Sequence, residues 1–253
     1  MIFLTVDLGN SRCKLRRWDL REDRAPKLLG EGEFQSAPGL GTLVASWVGD
    51  GGSADAAAVC SVSDEGLENE VELALRGRIE GPIDLRPDPG LEIACREPSR
   101  VGRDRLLGAR AALDLADGDA IVVAVGTAMT VDAVRADRTF LGGAIAPGPT
   151  LLARSLSSGT ARLPSIEACA GAPALGVDTP GALRAGIAVG LRGAARELAL
   201  RVGEEAGLPE ATIVLTGGAR GFLLQPPVFQ AARVLVERDL VHLGLIAARR
   251  SRS

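Results

Sequence analysis

Asp7, Gly9, Asn10, Ser11 and Lys14 sit close enough together to share one turn, and each is of a type that can serve a phosphate. A carboxylate such as Asp7 can hold a hydrated divalent cation such as magnesium, directly or through water. A glycine such as Gly9 lets backbone N–H groups come close to a bound anion. Asn10, Ser11 and Lys14 can donate to phosphate oxygens. An ordinary β-hairpin uses the same residue types, so the turn acquires meaning only from the rest of the chain.

Two further glycine turns follow apolar runs: Gly126-Thr127-Ala128 and Thr216-Gly217-Gly218. Thr127 can give a hydroxyl to a phosphate. Gly217 and Gly218 leave space for a nucleoside to approach backbone. A fourth group is Gly102-Arg103-Asp104-Arg105, a carboxylate between two cations where a helix begins. Such a carboxylate either satisfies the helix dipole or accepts a proton from an alcohol, with an arginine meeting an anionic substrate. Phosphoryl transfer needs this set: donors around the phosphate, a metal anchor and a base for the acceptor hydroxyl.

The elements that must carry these residues alternate between strand and helix. Residues 2–7 and 13–19 read as a hairpin with a charged far turn at 21–27, and 30–36 as a third strand. Residues 39–48 read as a helix with Leu40, Leu43, Val44 and Trp47 on one face. A strand over 56–61 and a helix from about residue 65 to 76, capped by the Ser63-Asp64-Glu65 group, follow. A proline-rich connection then leads to a helix over 106–116. The second half repeats the theme, with strands at 120–125, 129–134, 139–146 and 212–215. A helix starts at Pro147-Gly148-Pro149, and a long one runs from near Pro180 to 202. The expected fold is α/β, with two ribonuclease-H-like domains, 1–113 and 114–253, facing a cleft.

Composition narrows the function. The 253 residues are 46% hydrophobic and 24% charged, with a net charge of −3 and no tyrosine. With a pI near 5.4 and few aromatics, neither a basic face nor a base-stacking surface is expected, so nucleic acid is not an expected partner. No apolar run approaches the ~20 residues that span a bilayer, and the opening residues, which lack a basic stretch and run into a charged hairpin, are not expected to act as a signal peptide. Cys13, Cys60, Cys95 and Cys169 are too scattered for a zinc or redox motif, and read as reduced, buried thiols of a cytoplasmic protein. His242, the sole histidine, reads as a partly buried or surface helix residue.

In this order, the motifs resemble the type III pantothenate kinases, members of the acetate and sugar kinase, Hsp70 and actin superfamily. The matching residues begin with Asp7-Leu8-Gly9-Asn10-Ser11 and Lys14, then Gly102-x-Asp104-Arg105. They continue with Gly126-Thr127-Ala128-x-Thr130-x-Asp132, the run Phe140 to Gly148, and Leu163-Pro164. Thr179 with Gly186 and Thr216-Gly217-Gly218 complete the set. The resemblance implies ATP-dependent phosphorylation of pantothenate to 4'-phosphopantothenate, the first step toward coenzyme A. It implies Asp104 as the proton acceptor. Asp7, Gly9, Asn10, Ser11, Lys14, Thr127, Gly217 and Gly218 would hold ATP, with magnesium at Asp7. Gly102, Arg103, Arg105 and Thr179 would line the pantothenate pocket, completed across a homodimer interface. Thr179 alone could equally be a helix N-cap, and Asp132 a structural carboxylate.

Three positions depart from the family's pattern. Ala124 stands where a carboxylate helps bind potassium or ammonium, which removes the ligand such a cation needs. Cys95 stands where a tyrosine often faces substrate, and Arg103 where a small alanine is usual. Arg103 could pair with Asp104 or point to solvent. The departures keep alternatives open: a catalytically impaired or regulatory homologue, or a kinase of the same superfamily for another small alcohol.

Overall fold

The computed structural model describes residues 1–21, 24–229 and 233–250. In chain order its first elements are β1 (Ile2–Leu8), β2 (Arg12–Asp19), β3 (Lys27–Gln35), α1 (Leu40–Asp50), β4 (Ala56–Ser61), α2 (Glu65–Arg76), β5 (Ile83–Asp84) and β6 (Glu92–Ile93). Then come α3 (Arg103–Ala116), β7 (Ala120–Val125), β8 (Ala128–Arg135), β9 (Thr139–Pro147), α4 (Pro149–Ser158) and α5 (Thr179–Glu205). The last are β10 (Thr212–Thr216), α6 (Gly221–Leu224), β11 (Val234–Val236) and α7 (Leu240–Arg250). The expected 21–27 turn falls partly outside the described residues, since 22 and 23 are not among them.

The chain forms two compact units, one of residues 1–90, 99–111 and 241–253, the other of 91–98 and 112–240. This grouping differs from the expected 1–113 and 114–253 at residues 91–98, 112–113 and 241–253. Residues 91–98 join the second unit because β6 pairs in parallel with β9. The C-terminal helix α7 joins the first because Leu245, Ile246 and Ala248 are buried against Phe3 and Trp18. Burying each such leucine or isoleucine contributes about 1.5–3 kcal/mol. Sequence proximity has no comparable force.

In the first unit the strand order is β3-β2-β1-β4-β5, with β1 antiparallel to β2 and parallel to β4. The period of two splits β1 between two faces. Leu4, Val6 and Leu8 pack with Leu40, Val44 and Val48 of α1 and Leu67, Val71 and Leu75 of α2. Phe3, and with it Thr5 and Asp7 by alternation, faces the side covered by α3 and α7. The buried stripe of α1 steps by four, Leu40-Val44-Val48, which leaves Leu43 at 49% exposure rather than on the apolar face. Asp64 caps α2, its carboxylate accepting from the Leu67 N–H at 3.1 Å.

The second unit repeats the plan. Its order is β11-β10-β7-β8-β9-β6, with β7 antiparallel to β8 and parallel to β10. Val123 and Val125 pack with Ile187, Leu191 and Ala195 of α5. The duplication sets Ala124-Val125-Gly126 at the tip of β7 where the first unit has Asp7-Leu8-Gly9 at the tip of β1.

Candidate active site

Pairing places Lys14 of β2 directly opposite Asp7 of β1. Their charged ends stand 3.7 Å apart, with side chains 24% and 16% exposed. Burial raises the Asp7 carboxyl above the usual carboxylate range; Lys14 opposes the rise and the Asp104 charge adds to it. The intervening turn is closed by the Gly9 N–H donating to the Arg12 carbonyl at 3.0 Å. The Ser36 hydroxyl donates to the Gly9 carbonyl at 2.7 Å, and the Ser36 N–H to the Ser11 carbonyl at 3.2 Å. Asn10 and Ser11 are left exposed. Ser36 was not singled out by the sequence; the only signal is its place just past β3, beside the turn in the β2–β3 register.

Asp104 stands in the first turn of α3. Its Oδ1 accepts from the Arg105 N–H at 2.9 Å. Burial lifts its pKa, while that N–H and the Arg105 charge pull the other way. Gly102 makes the geometry possible, since a Cβ there would lie 2.6 Å from Asp104 Oδ1. The first unit thus gathers Asp7, Lys14, Asp104 and Arg105. Arg103 neither pairs with Asp104 nor points to solvent: its guanidinium donates to the Pro87 carbonyl, and its Nε is buried without a partner.

The cysteines are less uniform than expected. Cys13 and Cys60 are buried, Cys95 is half-buried and Cys169 is exposed. Burial pushes the Cys13 thiol up to about 12. Cys60 is raised well above its ordinary value by burial and then by Asp7 and Asp104, so it stays a thiol beside the two carboxylates. His242 is fully buried rather than at the surface. Its Nδ1 lies 2.8 Å from the Thr5 hydroxyl, which also accepts from the Trp18 indole at 2.8 Å.

In the second unit, two glycine turns are fastened together. The Ala219 N–H donates to the Val125 carbonyl at 2.9 Å, and Gly217, at φ 90°, occupies a place where the Val125 backbone leaves no room for a Cβ. Gly218 faces open space. Arg220, not singled out by the sequence, donates to the Gly217 carbonyl at 3.0 Å. Thr127 is exposed, and its carbonyl accepts from the Gly148 N–H at 3.0 Å. Ala124 has Thr130 and Thr216 as its cross-strand neighbours, while the buried Asp132 lies on the same strand as Thr130, two residues on. Thr179 is exposed at the start of α5, and the cap is Asp178, whose carboxylate accepts from the Gly181 N–H at 2.6 Å.

A profile of the type III pantothenate kinases matches residues 3–201. The chain belongs to the type III pantothenate kinase family. The relative from Streptomyces avermitilis is 33% identical over 263 residues, covering 96% of both chains. That from Parafrankia sp. is 32% identical over 254 residues, covering 98% of this chain and 96% of the relative. That from Thermus thermophilus is 38% identical over 186 residues, 71% of each. Among solved structures, a protein described as a Baf family transcriptional activator from Campylobacter jejuni aligns with a TM-score of 0.61 at 19% identity, covering 98% of both chains. A glucokinase from an Antarctic psychrotroph aligns at 0.50 and 12% identity, covering 99% of both. These structural likenesses bear on the fold, which is that of two ribonuclease-H-like domains of the actin-like ATPase type.

Proposed function

We propose that this pantothenate kinase family member transfers the ATP γ-phosphate to the primary hydroxyl of pantothenate, giving 4'-phosphopantothenate. The observation that carries the reading is the cluster Asp7, Lys14, Asp104 and Arg105 on one face of the first sheet. Asp104 accepts the hydroxyl proton; burial raises its pKa above the usual carboxylate value, which makes it a stronger base. Arg105 meets the pantothenate carboxylate beside Gly102, and Thr179 of the second unit is a proposed substrate contact. In the first unit, Lys14, Asn10, Ser11 and the Gly9 turn are the proposed contacts to ATP phosphates; in the second, Thr127, Gly217 and Gly218 are the proposed nucleotide contacts.

The carboxylates fit a magnesium ion, which is commonly held by one or two carboxylates plus substrate phosphates. Two partly buried carboxylates, with the Asp104 charge raising the Asp7 pKa, favour an added cation. Asp7 would hold it, directly or through water, and it would neutralise charge on the phosphates. The donor set at Ala124 does not fit a monovalent cation in the same way, because only threonines flank it in register. The reaction is therefore proposed to be independent of potassium or ammonium.

The side of α5 that carries Gly186, Val189, Gly190, Gly193 and Leu200 is exposed, which supports a homodimer. Among the described residues no helix is long and apolar enough to cross a membrane, and a cytoplasmic site of action is proposed. Turnover of ATP with pantothenate, measured with and without potassium or ammonium, tests the reading. Absence of turnover by folded protein in every salt overturns it. Asp104→Asn is expected to lower kcat by about 10²–10⁴-fold.

A further inference from the structure

Arg103 breaks a local rule. A cation at the first position of a helix stands at the positive end of the helix dipole, where anions are favoured. Its Nε is also buried with no hydrogen-bond partner. A residue that incurs both costs is expected to be retained for what its remaining contacts do. The contact in question is the donation to the Pro87 carbonyl.

Pro87 belongs to a stiff loop. Pro87 and Pro89 fix their own φ angles, and the Asp88 carboxylate accepts from the Gly90 N–H at 2.9 Å. The loop is anchored at its start. The Ala57 N–H of β4 donates to the Pro82 carbonyl at 3.0 Å, and β5 pairs with β4. β4 in turn pairs with β1, placing Cys60 opposite Asp7. Arg103 therefore links the first turn of α3, through the loop and two strands, to the strand that carries Asp7. The residue after it is Asp104.

We infer that Arg103 is a positioning residue, a tie between α3 and the Pro87 loop that sets the Asp104 carboxylate relative to Asp7. The inference rests on the reading of Asp104 as the base. It assigns Arg103 a different job from the direct substrate contact expected from sequence.

The experiment compares wild type, Arg103→Ala and Arg103→Lys for kcat, for KM of pantothenate and ATP, and for hydrogen exchange of the 82–90 and 103–107 amides. A displacement of about 1 Å at a reacting group can cost about 10²-fold. Arg103→Ala is therefore expected to lose about 10–100-fold in kcat, with both KM values held within about twofold. Exchange should accelerate in both segments. Arg103→Lys, which can still donate to Pro87, should recover part of kcat and of the protection. An unchanged kcat in Arg103→Ala overturns the tie, and so does a rise confined to the pantothenate KM, which would mark a substrate contact instead. Exchange is read without turnover. If wild type proves inactive, the kinase reading fails, while unchanged exchange in Arg103→Ala still rejects the tie on its own.

Discussion

Replacing Gly102 by alanine should separate the position of the base from the stability of the fold. Gly102 is not in the left-handed region, so alanine can adopt its backbone conformation. The added Cβ would lie 2.6 Å from Asp104 Oδ1. Ordinary C···O contacts begin near 3.3 Å, so the oxygen must retreat by about 0.7 Å or the side chain must rotate. Either movement strains the bond that Oδ1 accepts from the Arg105 N–H at 2.9 Å, pushing it toward the 3.5 Å limit of a hydrogen bond. Losing one such bond costs about 1 kcal/mol, and an off-rotamer side chain about 0.5–1.5 kcal/mol. The narrower unfolded ensemble of alanine returns about 0.4–1 kcal/mol. Stability should change by about 1–2 kcal/mol, a drop in Tm of only a few degrees. Catalysis should suffer far more, because a shift approaching 1 Å at the base can cost about 10²-fold. The expected result is a kcat about 30–100-fold lower in a variant that melts within a few degrees of wild type. Steady-state kinetics beside a thermal melt checks it. A normal kcat in the alanine variant would show that the carboxylate does not work from where the structure holds it.

Three further outcomes follow from the geometry. Lys14→Met removes both the charge facing Asp7 and a phosphate donor, so the ATP KM should rise by about tenfold or more, the scale of one charge-assisted hydrogen bond; titration with a non-hydrolysable ATP analogue would show it. Gly217→Ala meets a φ of 90° and the Val125 backbone, so Tm should fall by about 5 °C or more, as expected for ~1–3 kcal/mol of strain; an unchanged melt would contradict the packing. His242 is held neutral by burial, with Arg16 and Lys14 adding to the effect, so its folded pKa lies well below 6.5. Above 6.5 it costs nothing. As pH falls from 6.5 toward the folded pKa, the unfolded chain takes a proton that the folded one refuses, and stability drops by up to about 1.4 kcal/mol per pH unit. Asp7 and Asp104, with raised pKa values, act in the opposite sense, adding stability as pH falls through their folded pKa values. Urea unfolding between pH 7 and 5.5 should therefore show a shallower loss for His242→Gln than for wild type, and equal slopes would reject the assignment.

Much of this was written in local pattern. The alternation of β1, the Asp7-to-Lys14 turn and the Gly126 and Gly217 turns follow from residue type, spacing and the period of two, which act over a few residues. The cap at Asp64 and the helical start at Asp104 are local as well. The sequence by itself therefore determined the longer elements, the kind of chemistry and the residues that could carry it, but not the short β5, β6, α6 and β11. Tertiary structure decided the rest, because the deciding forces join residues far apart in the chain. Burial of Leu245 and Ile246 draws α7 onto the first sheet and takes His242 into the interior with it. Strand pairing, not sequence order, sends 91–98 to the second unit. A single carbonyl, that of Pro87, decides where Arg103 points. Sequence could name that arginine as a neighbour of the base, but only the folded chain supplies the acceptor that turns it into a tie.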